Sequence, residues 1–260
     1  MILATVSLNQ IWENKKENLI LCEAYIKKAS DKKVDLIVFP EMTLTGFSTN
    51  IEKTAEEENS SETIKNFQDL ARSFNIAILF GVVINDGKKV LNRSVFVDNE
   101  GTVLAKYSKI HPFSFAGEDK YFNSGNKLVQ FKFKDATIGL TICYDLRFPE
   151  LYSAYSKECD IIINIANWPS KRIEHWNTLL KARAIENQVI IVGVNRTGSD
   201  ASGLEYCESS NIFNADGKKL DFEQLNEIKI FEINKNRTEE FKKNFNTTND
   251  RKIEFYKGTI

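Results

Sequence analysis

The stretch Ile138-Gly-Leu-Thr-Ile-Cys-Tyr-Asp-Leu-Arg-Phe-Pro149 runs from an apolar segment into a proline-led one, and its reading decides how the chain is built. Ile138, Leu140 and Ile142 alternate as the apolar face of a strand does. Pro149 suits the first turn of a following helix, where its missing N–H is not needed. Cys143 therefore falls at a strand-to-helix elbow. The unpaired N–H groups of a helix start favour a thiolate there and can hold a developing oxyanion. A free cysteine in an arbitrary chain is more often a small core residue, so this elbow gains meaning only from its surroundings.

Upstream, residues 2–8 read as a strand and residues 14–30 as an amphipathic helix with Leu19, Cys22 and Ile26 on one face. Residues 34–39 are nearly all apolar, the habit of a strand covered on both faces in an α/β protein. Pro40 and Glu41 follow directly, and a carboxylate at the carboxyl end of a buried strand is where open α/β folds keep their sites. A second helix is expected over residues 61–74, with Ile64, Phe67, Ala71 and Phe74 as its core stripe. Strands at 77–83, 94–98 and 103–107 are separated by turn sequences, so the sheet is not purely parallel. Residues 108–125 show no periodicity, and so long an irregular segment is more often functional than idle. It contains Lys109, His111, Phe115 and Glu118.

Downstream of the elbow, the pattern predicts a helix to about residue 157, a buried strand ending in Asn167-Trp168-Pro169, and a helix over 173–187. Strands at 189–194, 209–213 and 228–233 and a short helix over 237–245 complete the reading. No linker, repeat or shift in composition divides the chain, so residues 1–260 are expected to form one α/β domain with helices on both faces of β-structure.

The composition narrows the choice of function. Apolar residues make up 42% and charged residues 27%, with a formal net charge of −1, which suggests neither disorder nor nucleic-acid binding. No run approaches the ~20 apolar residues of a membrane span, and no basic, then apolar, leader opens the chain. A cytoplasmic protein with a small-molecule partner is the expectation. Cys22, Cys143, Cys159 and Cys207 are scattered and lack metal-ligand spacing, and His111 and His175 are the only histidines, so neither a zinc site nor a disulfide framework is expected. The glycosylation sequons at Asn92 and Asn246 are then incidental.

Three segments, Phe39-Pro-Glu41, Tyr107-Ser-Lys109 with His111, and Cys143-Tyr-Asp-Leu-Arg-Phe-Pro-Glu150, resemble the catalytic signatures of the nitrilase, or carbon–nitrogen hydrolase, superfamily in order and approximate spacing. The resemblance implies a four-layer α-β-β-α sandwich, a homodimer formed through helical faces, and hydrolysis of a non-peptide carbon–nitrogen bond with no cofactor and no metal. Such hydrolysis needs a nucleophile, a base that returns its proton to the leaving amine, and a cation or N–H groups at the oxyanion. The implied roles are Cys143 as nucleophile, Glu41 as base and acid, and Lys109 with the Tyr144 backbone N–H at the oxyanion. Glu118, in Glu-x-x-Tyr-Phe-x-x-Gly, takes the second-glutamate role of orienting substrate and keeping Lys109 charged. His111 and His175 read as hydrogen-bonded scaffold, and Cys22 and Cys159 as packing.

Within the superfamily, Ala166-Asn-Trp-Pro169, Arg172 and Asn195-Arg-Thr-Gly-Ser-Asp200 are similar to bacterial omega-amidases, whose substrates are dicarboxylate monoamides such as 2-oxoglutaramate. Residues 143–151 are also shared with deaminated-glutathione amidases. A catalytically silent binding relative is a third reading, opposed by the intact Glu41, Lys109, Cys143 and Glu118. For a substrate carboxylate the expected partner is Arg172, with Phe115 and Trp168 as pocket walls. Arg172 could equally be a surface residue at a helix start.

Overall fold

The computed structural model describes residues 1–257. Among these residues, two sheets of eight and five strands lie at the centre, with a small two-stranded ribbon beside them. The larger sheet runs Glu223–Leu225, Ile228–Glu232, Ile2–Val6, Leu36–Val38, Ala77–Asn85, Val90–Val97 and Val103–Ser108, with Glu56–Glu57 added beside Ala77–Asn85. The smaller runs Asn211–Phe213, Ile190–Asn195, Ile161–Ala166, Ala136–Ile142 and Gln130–Phe133. Both are parallel at the centre and antiparallel towards their edges, as the turn sequences required.

The two-residue period of a strand sorts the apolar residues into two cores. Leu3, Leu36, Val38, Leu79 and Phe96 face the second sheet and join Ile138, Leu140, Ile163 and Val192 in one cluster. Their chain neighbours Ala4, Ile37, Ile78 and Val95 point the other way, against Cys22, Ile26, Phe67 and Ala71 of the helices Lys15–Asp31 and Glu62–Phe74. Beyond the second sheet, the helices Pro149–Tyr155 and Ile173–Asn187 bring Tyr152, Tyr155, Trp176 and Leu180 into the first cluster. The result is the helix–sheet–sheet–helix sandwich that the resemblance implied. No helix among the described residues is long and apolar enough to cross a membrane.

Local signals account for the helix ends. The Asn14 side chain accepts from the Glu17 N–H at 3.2 Å, the Ser61 hydroxyl accepts from that of Ile64 at 3.2 Å, and Asn75 and Gln188 end their helices in the left-handed conformation. As its place in a first turn implies, Pro149 opens the helix expected to run to about residue 157, and the segment between it and the elbow forms a separate turn. Residues Cys143–Arg147 make a 3₁₀ turn, and a shorter helix, Pro149–Tyr155, starts afresh at the proline. Phe148, as the residue before proline, is pushed out of the helical region to φ −105° and ψ 97°, which breaks the helix in two.

One glycine ties the fold to the loop after Leu36–Val38. A Cβ on Gly81 would lie 2.3 Å from the Met42 backbone nitrogen and 2.9 Å from the Glu41 carbonyl carbon. The Thr43 N–H also donates to the Gly81 carbonyl at 2.9 Å, and the Thr43 hydroxyl accepts from the Gly81 N–H at 2.9 Å. Gly81→Ala is therefore expected to displace the Glu41 backbone, costing ~1–3 kcal/mol in a denaturant titration.

Candidate active site

Glu41, Lys109 and Cys143 each come just after a strand, and Glu118 lies in the irregular segment beyond Lys109. All four are buried. The Lys109 ammonium donates to Glu41 Oε1 at 3.0 Å and to Glu118 Oε1 and Oε2 at 3.0 and 2.8 Å, and it lies 5.5 Å from the centre of the Phe47 ring. Burial alone pulls a lysine towards its neutral form, but the Glu118 and Glu41 carboxylates more than reverse this and raise its pKa. Lys109 is a locked cation.

The carboxylates differ in how many lone pairs remain open. Glu118 Oε1 accepts from Lys109 and, at 3.0 Å, from Asn92 Nδ2, while Oε2 accepts from Lys109 and the Phe113 N–H. All of its acceptor sites are taken. Glu41 Oε1 is likewise filled, by Lys109 and by Asn92 Nδ2 at 2.7 Å, but Oε2 accepts only from the Asn167 N–H at 2.9 Å. One lone pair is left on Glu41 Oε2. The loop carrying it is held by Gln10 Nε2, which donates to the carbonyls of Glu41, Met42 and Thr43, and by Asn167 Nδ2, which donates to the Glu41 carbonyl at 2.7 Å.

The elbow is held from behind by Asp145. Its buried carboxylate accepts from the Ile142 N–H at 3.0 Å, from Tyr107 Oη at 2.7 Å, and from the His111 backbone N–H and Nδ1 at 3.0 and 2.8 Å. The His111 ring also stacks on Phe148, with centroids 3.7 Å apart, which fits its reading as scaffold. Cys143 itself has φ +45° and Met42, next to Glu41, φ +46°, both in the left-handed region that side chains disfavour. Cys143 Sγ lies 3.9 Å from the Asn167 carbonyl, on a narrow cleft also lined by Tyr144, Trp168, Arg147 and Arg172.

A sequence profile of carbon-nitrogen hydrolases matches residues 2–243. The chain belongs to the carbon–nitrogen hydrolase family. The hydrolase is 35% identical to the omega-amidase YafV of Yersinia enterocolitica over 80% of this chain and 79% of that one. It is 30% identical to a deaminated glutathione amidase of Dictyostelium discoideum over 98% and 96% of the two chains. Among solved structures, the superfamily protein XC1258 of Xanthomonas campestris, which carries an arsenic adduct in its active site, superposes with a TM-score of 0.90 at 26% identity, covering 96% and 97% of the two chains. The chain is thus an enzyme whose relatives are named amidases.

Of the residues expected at the site of this hydrolase, Glu41, Lys109 and Glu118 are in direct contact, and Cys143, Tyr144, Trp168 and Arg172 share the cleft. Phe115 is a correction: it is 87% exposed and does not line the cleft. The 3₁₀ turn Ser114–Ala116 turns it outward, and Phe113 lines the wall instead, with Arg172 over its ring at 5.6 Å. Arg147 was not anticipated, although a residue four after Cys143 returns to the same side of a helical turn; its guanidinium lies 4.8 Å from the Trp168 ring centre. Asn92 and Asn167 also escaped the sequence reading. Neutral amides in strands and turns carry no periodic signal.

The N–H groups of a helix start favour a thiolate at Cys143, and its surroundings oppose them. Burial pushes the Cys143 thiol well above its ordinary value, the Glu41 carboxylate adds to this, and Lys109 only partly opposes them. Because Glu41 is one cause of the rise, Glu41→Gln should move the Cys143 titration to lower pH while abolishing proton transfer. Thiolate ultraviolet absorbance, with Cys143→Ala as blank, measures the first effect, and an unchanged or higher titration contradicts it.

Proposed function

We propose that this hydrolase cleaves the terminal amide of a small dicarboxylate monoamide such as 2-oxoglutaramate, releasing ammonia through a thioester on Cys143. The observation that carries the reading is a cleft with a buried thiol at its end and two guanidinium groups, Arg147 and Arg172, along its wall. The enclosed space is only about 30 Å³, enough for the reacting end of a substrate, so the distal carboxylate lies outward among the arginines. A planar guanidinium meets a carboxylate with two charge-assisted hydrogen bonds.

The open lone pair on Glu41 Oε2 takes the Cys143 proton as sulfur attacks the amide carbon. Protonation of Glu41 weakens its hold on Lys109, whose ammonium turns to the new oxyanion beside the Tyr144 N–H. Glu41 then gives the proton to the departing nitrogen, ammonia leaves, and the acyl group remains on sulfur. Water attacks the thioester next, passing a proton to Glu41; collapse expels the thiolate, which recovers that proton, and the dicarboxylate departs. Glu118 holds Lys109 in place throughout, and with its own acceptor sites filled it orients substrate only through that lysine.

Relatives named omega-amidase support this substrate class, and the long match to a deaminated glutathione amidase supports the alternative of a larger amide acid with the same chemistry. The assembly is read as a homodimer joined through its helical faces, in the cytoplasm. The deciding experiment compares ammonia release from 2-oxoglutaramate and deaminated glutathione, with Cys143→Ala as blank. Preference for 2-oxoglutaramate is expected, the reverse preference selects the alternative, and no release from either contradicts both. Arg172→Ala should raise KM for the dicarboxylate monoamide by the equivalent of ~1.5–3 kcal/mol and leave a neutral amide nearly unaffected. Equal losses on both substrates remove Arg172 from the carboxylate site.

A further inference from the structure

Asn92 is buried on the strand Val90–Val97, on the face that carries Phe96 into the core between the sheets. Register places it beside the end of the neighbouring strand, and its carbonyl accepts from the Lys109 N–H at 2.9 Å. That bond brings the Asn92 side chain level with the Lys109 ammonium. Its Nδ2 carries two hydrogens, and it contacts Oε1 of Glu41 at 2.7 Å and Oε1 of Glu118 at 3.0 Å. A sequence feature that looked incidental, the sequon beginning at this asparagine, thus lies at the centre of the site.

We propose that Asn92 is a positioning residue that fixes which oxygen of Glu41 acts as the base and keeps that carboxylate in place when Lys109 turns away. The inference rests on the amidase reading given above and adds a residue to it. Two donors fill Glu41 Oε1, and one of them, Lys109, has to swing towards the oxyanion during each half-reaction. Asn92 is the donor that stays. With it in place Oε1 remains occupied, the carboxyl group does not rotate, and Oε2 keeps its open lone pair beside the Asn167 N–H.

The choice of a neutral amide follows from the charge count. The groups that face Glu41 and titrate are Lys109, Glu118 and Cys143, so two carboxylates already share one ammonium. A second cation at position 92 would neutralise the cluster and weaken Glu41 as a base. An acid there would add a third negative charge. An apolar side chain would leave both Oε1 atoms short of a donor in a dry site, which favours protonation of the carboxylates. Only a neutral group with two N–H bonds serves both oxygens and keeps the net charge.

The test is the pH dependence of ammonia release by Asn92→Leu, which is close in shape but has no donor, and by Asn92→Ser, which is smaller and keeps one O–H. The substrate is whichever amide the wild type hydrolyses. For Asn92→Leu a fall in kcat of about 10- to 100-fold is expected, the worth of a hydrogen bond to a charged group, with KM changed far less. The acidic limb of the kcat/KM profile should move to higher pH, because a carboxylate without its donor holds a proton more readily. Asn92→Ser should lie between the two in both respects, and it carries the test if the leucine variant does not fold. An acidic limb that stays in place in a folded variant overturns the proposal, whatever the loss of rate, since damage to the fold alone lowers activity without moving that limb. Absence of ammonia release by the wild type tells instead against the amidase reading.

Discussion

A lysine ammonium buried between the sheets cannot be left unpaired, and most of the site follows from that requirement. Removing such a charge from water costs several kcal/mol unless counter-charges and hydrogen bonds replace the lost hydration. Lys109 meets the cost with Glu41 and Glu118, which then need donors of their own. Asn92, Asn167 and the Phe113 N–H supply them. Each partner brings a further segment of chain into the cluster. The irregular segment after Lys109 has a defined shape largely because Glu118 is bound at both of its oxygens.

The same cluster lies across the junction of the two sheets. Glu41 and Lys109 follow strands of the larger sheet, whereas Cys143 and Asn167 follow strands of the smaller. The bond from the Asn167 N–H to Glu41 Oε2 and the bond from Tyr107 to Asp145 both cross that junction. Burial holds Tyr107 neutral, and the Asp145 charge reinforces this, so its hydroxyl keeps its proton to donate. Glu41 and Cys143 are therefore in register only while the apolar layer of Leu36, Val38, Leu79, Ile138 and Leu140 is intact. The core between the sheets sets the geometry of the charged cluster in a mechanical sense.

The layers and the charged members of the site were legible in the sequence, for physical reasons. The buried strand Leu36–Val38 is wholly apolar, so the carboxylate of Glu41 stands out just past its end. The stripes of helices 14–30 and 61–74 are regular enough to read directly. What stayed hidden depends on contacts between distant segments. Asn92 and Asn167 are amides whose partners lie many residues away, and nothing local distinguishes them from turn formers. Phe115 and Phe113 are both aromatic, and only the turn between them decides which one faces inward. The split after Cys143 was a matter of weight: Pro149 starts a helix well, but its effect on Phe148 outweighs continuity across the elbow. The titration of Cys143 was out of reach for the same reason: a helix start is visible in a sequence, whereas the burial and the Glu41 charge that oppose it are not.

The left-handed backbone at Cys143 and Met42 has a consequence for how the enzyme can change. Each position holds a side chain in a conformation that costs ~1–3 kcal/mol, and each directs a neighbouring or attached group at the reaction. A glycine at either place would release that strain. At Met42 that gain is outweighed by the loss of a fully buried side chain, about 2–5 kcal/mol, and at Cys143 it would remove the thiol itself, so packing at one place and chemistry at the other hold the chain in a conformation that the backbone alone disfavours.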